Sequence, residues 1–187
     1  MQIGIISMPD HLLPDHFWGD KEVTTIQVTG PGQVVSVDAL VLAGTDIFAL
    51  QRLLMSTGLL EPVLTQVKKG IPIWGINAGL YLMAKHKSDS SLSSLDVMDV
   101  TAGRDGLEGK FSVSLYIQAF GFEPVTAVFN NPAYITQVEP HVGIMAYCRG
   151  RIIMARQGNM LASSFFTEEG ETRPFNYFLQ MIEENFD

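Results

Sequence analysis

The feature that most constrains this chain is the passage around Gly75-Ile76-Asn77-Ala78-Gly79. Ile71-Pro72-Ile73-Trp74-Gly75 is a short apolar run, which predicts a buried strand. Beyond it, Ala78 to Lys85 carries Leu80, Met83 and Ala84 at core spacing, which predicts a helix. A strand, then Gly-x-x-x-Gly around one central side chain, then a helix is the pattern of a nucleophile elbow. The central residue sits on a tight, strained turn, so its neighbours two positions away must be small, and Gly75 and Gly79 meet that need. The helix N-terminus beside it offers free N–H groups and a positive dipole end to a developing oxyanion. A serine or cysteine there becomes a nucleophile. Asn77 cannot, because its amide nitrogen is delocalised into the carbonyl and has no usable lone pair. Taken alone, the two glycines are equally well explained by close packing of a strand on a helix.

The rest of the first half repeats the strand-helix alternation. Gln2 to Ser7 is a β-branched run that predicts a buried strand, and Pro9 to Asp20 reads as a loop or broken helix. A second strand is expected through Thr25-Ile26-Gln27-Val28, closed by Gly30-Pro31-Gly32, and a third over Asp38 to Gly44. Asp46 suits the N-cap of a helix from Ile47 to Ser56 that Gly58 ends. Another helix spans about Pro62 to Lys69 and stops at Gly70. Such alternation predicts a parallel sheet with right-handed crossovers. The second half changes character: Val142 to Phe166 reads as an antiparallel meander turning at Arg149-Gly150 and Gln157-Gly158-Asn159. A last amphipathic helix runs from about Arg173 to Glu184, with Phe175, Phe178, Leu179 and Ile182 on one face. Glu183 and Glu184 place negative charge where the helix dipole disfavours it, so fraying is expected there. The fold class is therefore α/β, with a mostly parallel central sheet between helical layers.

The length of 187 residues favours one domain, 1–187, with a proper core. With 47% apolar and only 17% charged residues, the composition argues for a compact globular chain and against disorder. The net charge of −8 and scattered basic residues argue against nucleic acid as a partner. The small groups Lys68-Lys69 and Lys85-His86-Lys87 read as solvated helix ends. A lone cysteine, Cys148, excludes an intramolecular disulfide and fits a reducing compartment. Met1 leads into Ile3-Gly4-Ile5-Ile6 with no basic stretch ahead of an apolar one, and no apolar run approaches the length of a membrane span. The expectation is a soluble, cytoplasmic chain with no membrane partner.

Isolated reactive side chains offer little. Cys148 lies in an expected strand with no His near it in sequence, and reads as a structural thiol. His141 follows Glu139-Pro140 and reads as a loop residue, and His86 sits between lysines at an expected helix end. His11 and His16, with Asp10 and Asp15, match no standard zinc spacing. No metal or cofactor is expected.

Together these stretches resemble the class I (triad-type) glutamine amidotransferases, and more closely the glutaminase subunit of pyridoxal 5′-phosphate synthase. The resemblance covers Gly4 to Ile182. It is carried by Leu53-Leu54 through Gly58-Leu59-Leu60-Glu61-Pro62, by the turn and Leu80, and by Met98-Asp99-Val100-Thr101. Gly150-Arg151-Ile152 to Arg156-Gln157-Gly158-Asn159-Met160-Leu161-Ala162 adds the run most specific to that subunit. It implies a three-layer, flavodoxin-like sandwich.

The departures fall where the family's chemistry lies. The family's elbow residue is a cysteine; Asn77 stands here. Its general base is the histidine of a Ser-Phe-His-Pro-Glu segment; the matching run is Ser164-Phe165-Phe166-Thr167-Glu168, so Phe166 takes the place of the base and only Glu168, the acid that orients it, is kept. The oxyanion loop Pro-Gly-Gly-Glu-Ser becomes Ala43-Gly44-Thr45-Asp46-Ile47, and Thr45 would be strained if its position needs positive φ. Leu-Gln-Gly-Asp near the N-terminus becomes Ser7-Met8-Pro9-Asp10, and the Arg-Asn-Ala segment of the glutamine pocket becomes Arg104-Asp105-Gly106. Without a thiolate there is no thioester, and without an imidazole nothing moves the proton at neutral pH. Losing a nucleophile or its base costs on the order of 10⁶ in kcat, and the two losses do not add.

The resemblance then implies a catalytically degenerate chain, a binding or regulatory subunit for a barrel-shaped synthase or a homologous glutaminase. The alternatives are an ammonia-supplying glutaminase of vitamin B6 biosynthesis, or a protein that binds a small amide or carboxylate in a remodelled pocket. That pocket would be lined by Gly44, Thr45, Asp46, Asn77, Ala78, Arg104 and Glu168. Glu168 and Glu169 read as a solvated acidic pair.

Overall fold

The computed structural model describes residues 1–8, 23–87 and 92–186. The chain enters through strand β1 (Gln2–Ser7), then β2 (Thr24–Gln27), a one-turn helix α1 (Pro31–Val34) and β3 (Ala39–Gly44). Helices α2 (Ile47–Ser56) and α3 (Leu60–Lys68) lead into β4 (Ile73–Asn77), which runs directly into α4 (Ala78–Met83). Strands β1, β2, β3, β4 and the later β12 (Met160–Ser163) pair in parallel in the order β2-β1-β3-β4-β12. Sequence punctuation sets these ends. Asp46 caps α2 by accepting the Ala49 N–H at 3.0 Å, and Gly58 and Gly70 follow α2 and α3 with φ of 68° and 96°.

The sheet continues past β12 with antiparallel pairs as far as β6, whose pairing with the last strand, β5, is parallel. β11 (Arg151–Gln157) pairs with β12, with β10 (Gly143–Cys148) and with β9 (Tyr134–Val138). The expected meander is thus present, and its last strand joins the parallel half against β4. β9 pairs with β6 (Met98–Gly103), and β6 with a terminal strand β5 (Ala84–Lys87). A second sheet of three strands is built from β7 (Lys110–Leu115), β8 (Val125–Asn130) and the two-residue β13 (Phe166–Thr167).

Both faces of the main sheet are covered at β1, β3, β4 and β12, so these strands are buried nearly throughout rather than alternately, whereas β5, β9 and β10 expose part of their length. All six residues of β3 are buried. Leu40 and Leu42 point into one core cluster with Leu50 and Leu54 of α2, while Ala39, Val41 and Ala43 point into the other. The second cluster lies under α5 (Arg173–Phe186) and the small sheet. There Trp74 meets Phe175 edge-on at 5.1 Å and Phe178 at 5.6 Å between ring centroids, and its indole N–H donates to Ser163 Oγ at 3.0 Å. Among the described residues no single helix is long and apolar enough to cross a membrane.

Two expectations need correction. The helix expected over Ala78 to Lys85 ends at Met83, because the incoming chain takes its last carbonyls: Leu95 N–H donates to Leu82 O and Val97 N–H to Met83 O, both at 2.9 Å. Lys85-His86-Lys87 is consequently strand, not a helix end. Lys85 pairs with Asp99, and Lys87, its side chain only 4% exposed, pairs with Asp96 and the Ala84 carbonyl. Near the end of α5, Arg156 Nη2 lies 2.9 Å from Glu184 Oε2, and Asn159 donates to Asn185. The expected N-terminal loop, with Pro9, Asp10, His11, Asp15 and His16, lies outside the described residues.

Candidate functional site

The turn is built as steric reasoning requires. Asn77 closes the β4 ladder opposite Gly44 and has φ 51° and ψ −99°, a conformation that L residues adopt only under constraint. A Cβ on Gly79 would stand 1.8 Å from the Leu42 carbonyl oxygen, and one on Gly75 would stand 2.7 Å from the Gly79 backbone. Neither obstacle is a flexible side chain, so both positions demand glycine. The geometry that would display a reactive side chain is therefore intact.

What it displays is spoken for. Asn77 is 1% exposed. Its Nδ2 donates to the Asn130 carbonyl at 3.0 Å, and its Oδ1 accepts the Ala133 N–H at 2.9 Å. One partner is an acceptor and the other a donor, which fixes the amide orientation. The carboxamide ties the elbow to the β8–β9 connection. Asn131, at φ 42°, extends the tie: its N–H donates to Gly109 O at 3.0 Å and its Oδ1 accepts Gly109 N–H at 2.7 Å.

In front of this tie lies a cavity of about 700 Å³ whose walls include Thr45, Asp46, Phe48, Arg104, Glu108 and Asn130. Three of the expected pocket residues, Thr45, Asp46 and Arg104, come together there. Gly44, Asn77 and Ala78 are buried behind it, and Glu168 is exposed and not part of its wall. Thr45 is not among the described residues with positive φ, so the loop carries it without backbone strain. The Asp46 carboxylate is occupied by its helix cap. Arg104 lies over the Phe48 ring, 5.7 Å from its centroid.

The 104–108 loop is positioned by residues that sequence reasoning did not single out. The Tyr134 hydroxyl donates to the Asp105 carbonyl, and Arg151 covers the Tyr134 ring at 4.7 Å. Gly106 turns at φ 96°. Only the resemblance of the Gly150-Arg151-Ile152 stretch drew attention to Arg151, and nothing marked Tyr134. Phe166 pairs with Val128 in the small sheet and helps to wall a second cavity of about 250 Å³, along with Thr45, Lys110, Val128, Phe129 and Asn130.

The remaining candidates sit apart from both cavities. Cys148 is buried in the second core cluster, and burial pushes its thiol pKa up against the opposing pull of Arg149. His141 is an exposed turn residue with Nε2 2.9 Å from Asp99 Oδ2. Glu168 and Glu169 are exposed. Among the described residues no group of three His, Cys, Asp or Glu side chains is placed to hold a metal ion.

Strand order and elbow together are the architecture of the class I glutamine amidotransferases. A crystal structure of a glutamine amidotransferase superposes with a TM-score of 0.83, covering 97% of this chain and 98% of that one at 21% identity. PurLQS from Thermotoga maritima superposes with a TM-score of 0.66, covering 100% and 99% at 10% identity. Such low identities speak for the fold alone. In sequence, the model of the SNO glutamine amidotransferase family matches residues 19–184, and the chain belongs to that family. It is 32% identical to the pyridoxal 5′-phosphate synthase subunit PdxT of Carboxydothermus hydrogenoformans, over 97% of this chain and 98% of that protein. It is 35% identical to the PdxT of Herpetosiphon aurantiacus, over 84% and 87%.

Proposed function

We propose that this chain is a single-domain, catalytically silent glutamine amidotransferase-type subunit that binds a synthase-type partner or a homologous glutaminase without making ammonia. The observation that carries this is the elbow side chain. A carboxamide has no nucleophilic lone pair, and both ends of this one are committed to Asn130 and Ala133. Phe166, at the position the family resemblance gives to the base, has no proton to move. The buried thiol of Cys148 suits a reducing compartment such as the cytoplasm and stands in a different part of the core. The test is ammonia release from glutamine by the purified chain, alone and with a synthase-type subunit. Background rates in both are expected; turnover at a normal amidotransferase rate would end this reading.

A second reading has its own support. Relatives matched over nearly their whole length are named as subunits of pyridoxal 5′-phosphate synthase. On that basis the chain would supply ammonia for pyridoxal phosphate synthesis. The same assay separates the two readings, since only the second gives glutamine turnover.

A further inference from the structure

At the pole opposite the elbow, where β4 and β12 begin, a third cavity of about 510 Å³ opens. It lies between the end of α3, the turn into β12 and the residues that lead into β6. Its floor is apolar. Val67, Ile71, Val97 and Met160 pack against the first core cluster and are left partly open on the cavity side. The polar groups around that floor are largely satisfied. Asn159 donates to the Gly70 carbonyl at 2.9 Å and to Asn185. Lys87 pairs with Asp96, and Asp99 pairs with Lys85. One charge is left over: Lys68, exposed in the last turn of α3, has no carboxylate partner among the described residues. This wall thus carries a spare positive charge in a chain of net charge −8. In the cavity before the elbow, by contrast, carboxylates outnumber cations.

An apolar floor beside an unpaired ammonium selects an amphipathic anion. An amine would meet like charge at Lys68. A sugar or other polar body would lose its water to the apolar side chains without gaining partners. A dianion would find only one free cation, with the Asp96 carboxylate in the same wall. We propose that this cavity binds a monocarboxylate with an apolar body, its carboxylate at Lys68 and its hydrocarbon over Val67, Ile71, Val97 and Met160. The site shares no wall residue with the cavity before the elbow, so it stands whether or not the elbow is silent.

Isothermal titration of the purified full chain with octanoate tests it. Acetate, which keeps the charge alone, and octylamine, which keeps the hydrocarbon and reverses the charge, are the comparisons. Octanoate is expected to bind at a single site, about tenfold or more tighter than either. Backbone amide shifts in proton–nitrogen correlation spectra should concentrate at Gly70, Val97 and Gly158. Lys68→Gln, at an exposed helix end, should weaken octanoate binding about threefold or more while melting as the wild type does. Lys68→Glu should abolish the preference for octanoate over octylamine, a change that a loss of packing would not produce. Octylamine binding the wild type as tightly as octanoate overturns the proposal. So do amide shifts confined to the 104–108 loop, several weak sites in place of one, or no heat from octanoate at millimolar concentration.

Discussion

At the scale of single residues, the backbone of Asn77 raises an energetic question. Its conformation costs on the order of 1–3 kcal/mol, a cost an active enzyme accepts in order to aim a nucleophile. Here two buried hydrogen bonds, each contributing roughly 0.5–1.5 kcal/mol, offset it. The side chain has become a strut. Asn77→Ala keeps the strain and leaves the Ala133 N–H, buried at 1% exposure, without its partner. A loss of about 2 kcal/mol is expected from urea unfolding, and an unchanged midpoint would show that the strut carries no weight. The same contacts predict the fate of a restored pair. Asn77→Cys with Phe166→His supplies a thiol and an imidazole, but it removes the strut and leaves Glu168 exposed, outside the cavity wall. No ammonia release above the wild-type background is expected in a coupled glutaminase assay.

At the scale of elements, Asp99 at the start of β6 joins three others. It meets Lys85 of β5, Gln157 of β11 and His141 in the turn after β9. The hydrogen bond from Lys85, with those from His141 and Gln157, outweighs the opposing effect of burial and lowers the carboxyl pKa from 3.8 to about 2. A carboxyl with a depressed folded pKa stabilises the fold above its unfolded value, and that contribution is lost as pH falls from about 3.8 through about 2. Asp99→Asn is therefore expected to melt below the wild type at pH 6, with the gap closing toward pH 2. A gap constant across that window would sink the assignment. These same elements mark the limit of what the sequence discloses. Where a residue punctuates an end, as Asp46, Gly58, Gly70 and Arg149-Gly150 do, the boundary is readable to within a residue or two. β5 is not, because Ala84-Lys85-His86-Lys87 has no strand pattern of its own and is extended only by pairing with β6. β7 and β8 pair with each other, and Phe111, Val113 and Leu115 alternate with polar residues as a half-covered strand should, so this hairpin was legible although it was not among the expectations. Only the pairing of β8 with β13 depends on residues distant in sequence. The elbow was legible because glycine at positions 75 and 79 answers a local steric demand. The tie from Asn77 to the β8–β9 connection was not, since it spans more than fifty residues of chain.

At the scale of the whole molecule, the glycines at the elbow also serve the core. Gly79 lies against the Leu42 backbone, and Leu42 belongs to the cluster that α2 and α4 cover. The turn is thus held by packing that would persist whatever side chain stood at position 77. Scaffold and chemistry are separable in this fold, and any surface the scaffold presents to a partner would be kept when the chemistry goes. That separation makes a prediction for the assembled system. Mixed with a synthase-type barrel subunit of its own lineage, the chain is expected to co-elute on size exclusion. Pyridoxal phosphate should then form when an ammonium salt is supplied, but not when glutamine is the only nitrogen source. Product from glutamine alone would mean that the complex completes a site the isolated chain lacks. Failure to co-elute at micromolar concentrations of both would mean that the retained scaffold serves some purpose other than docking.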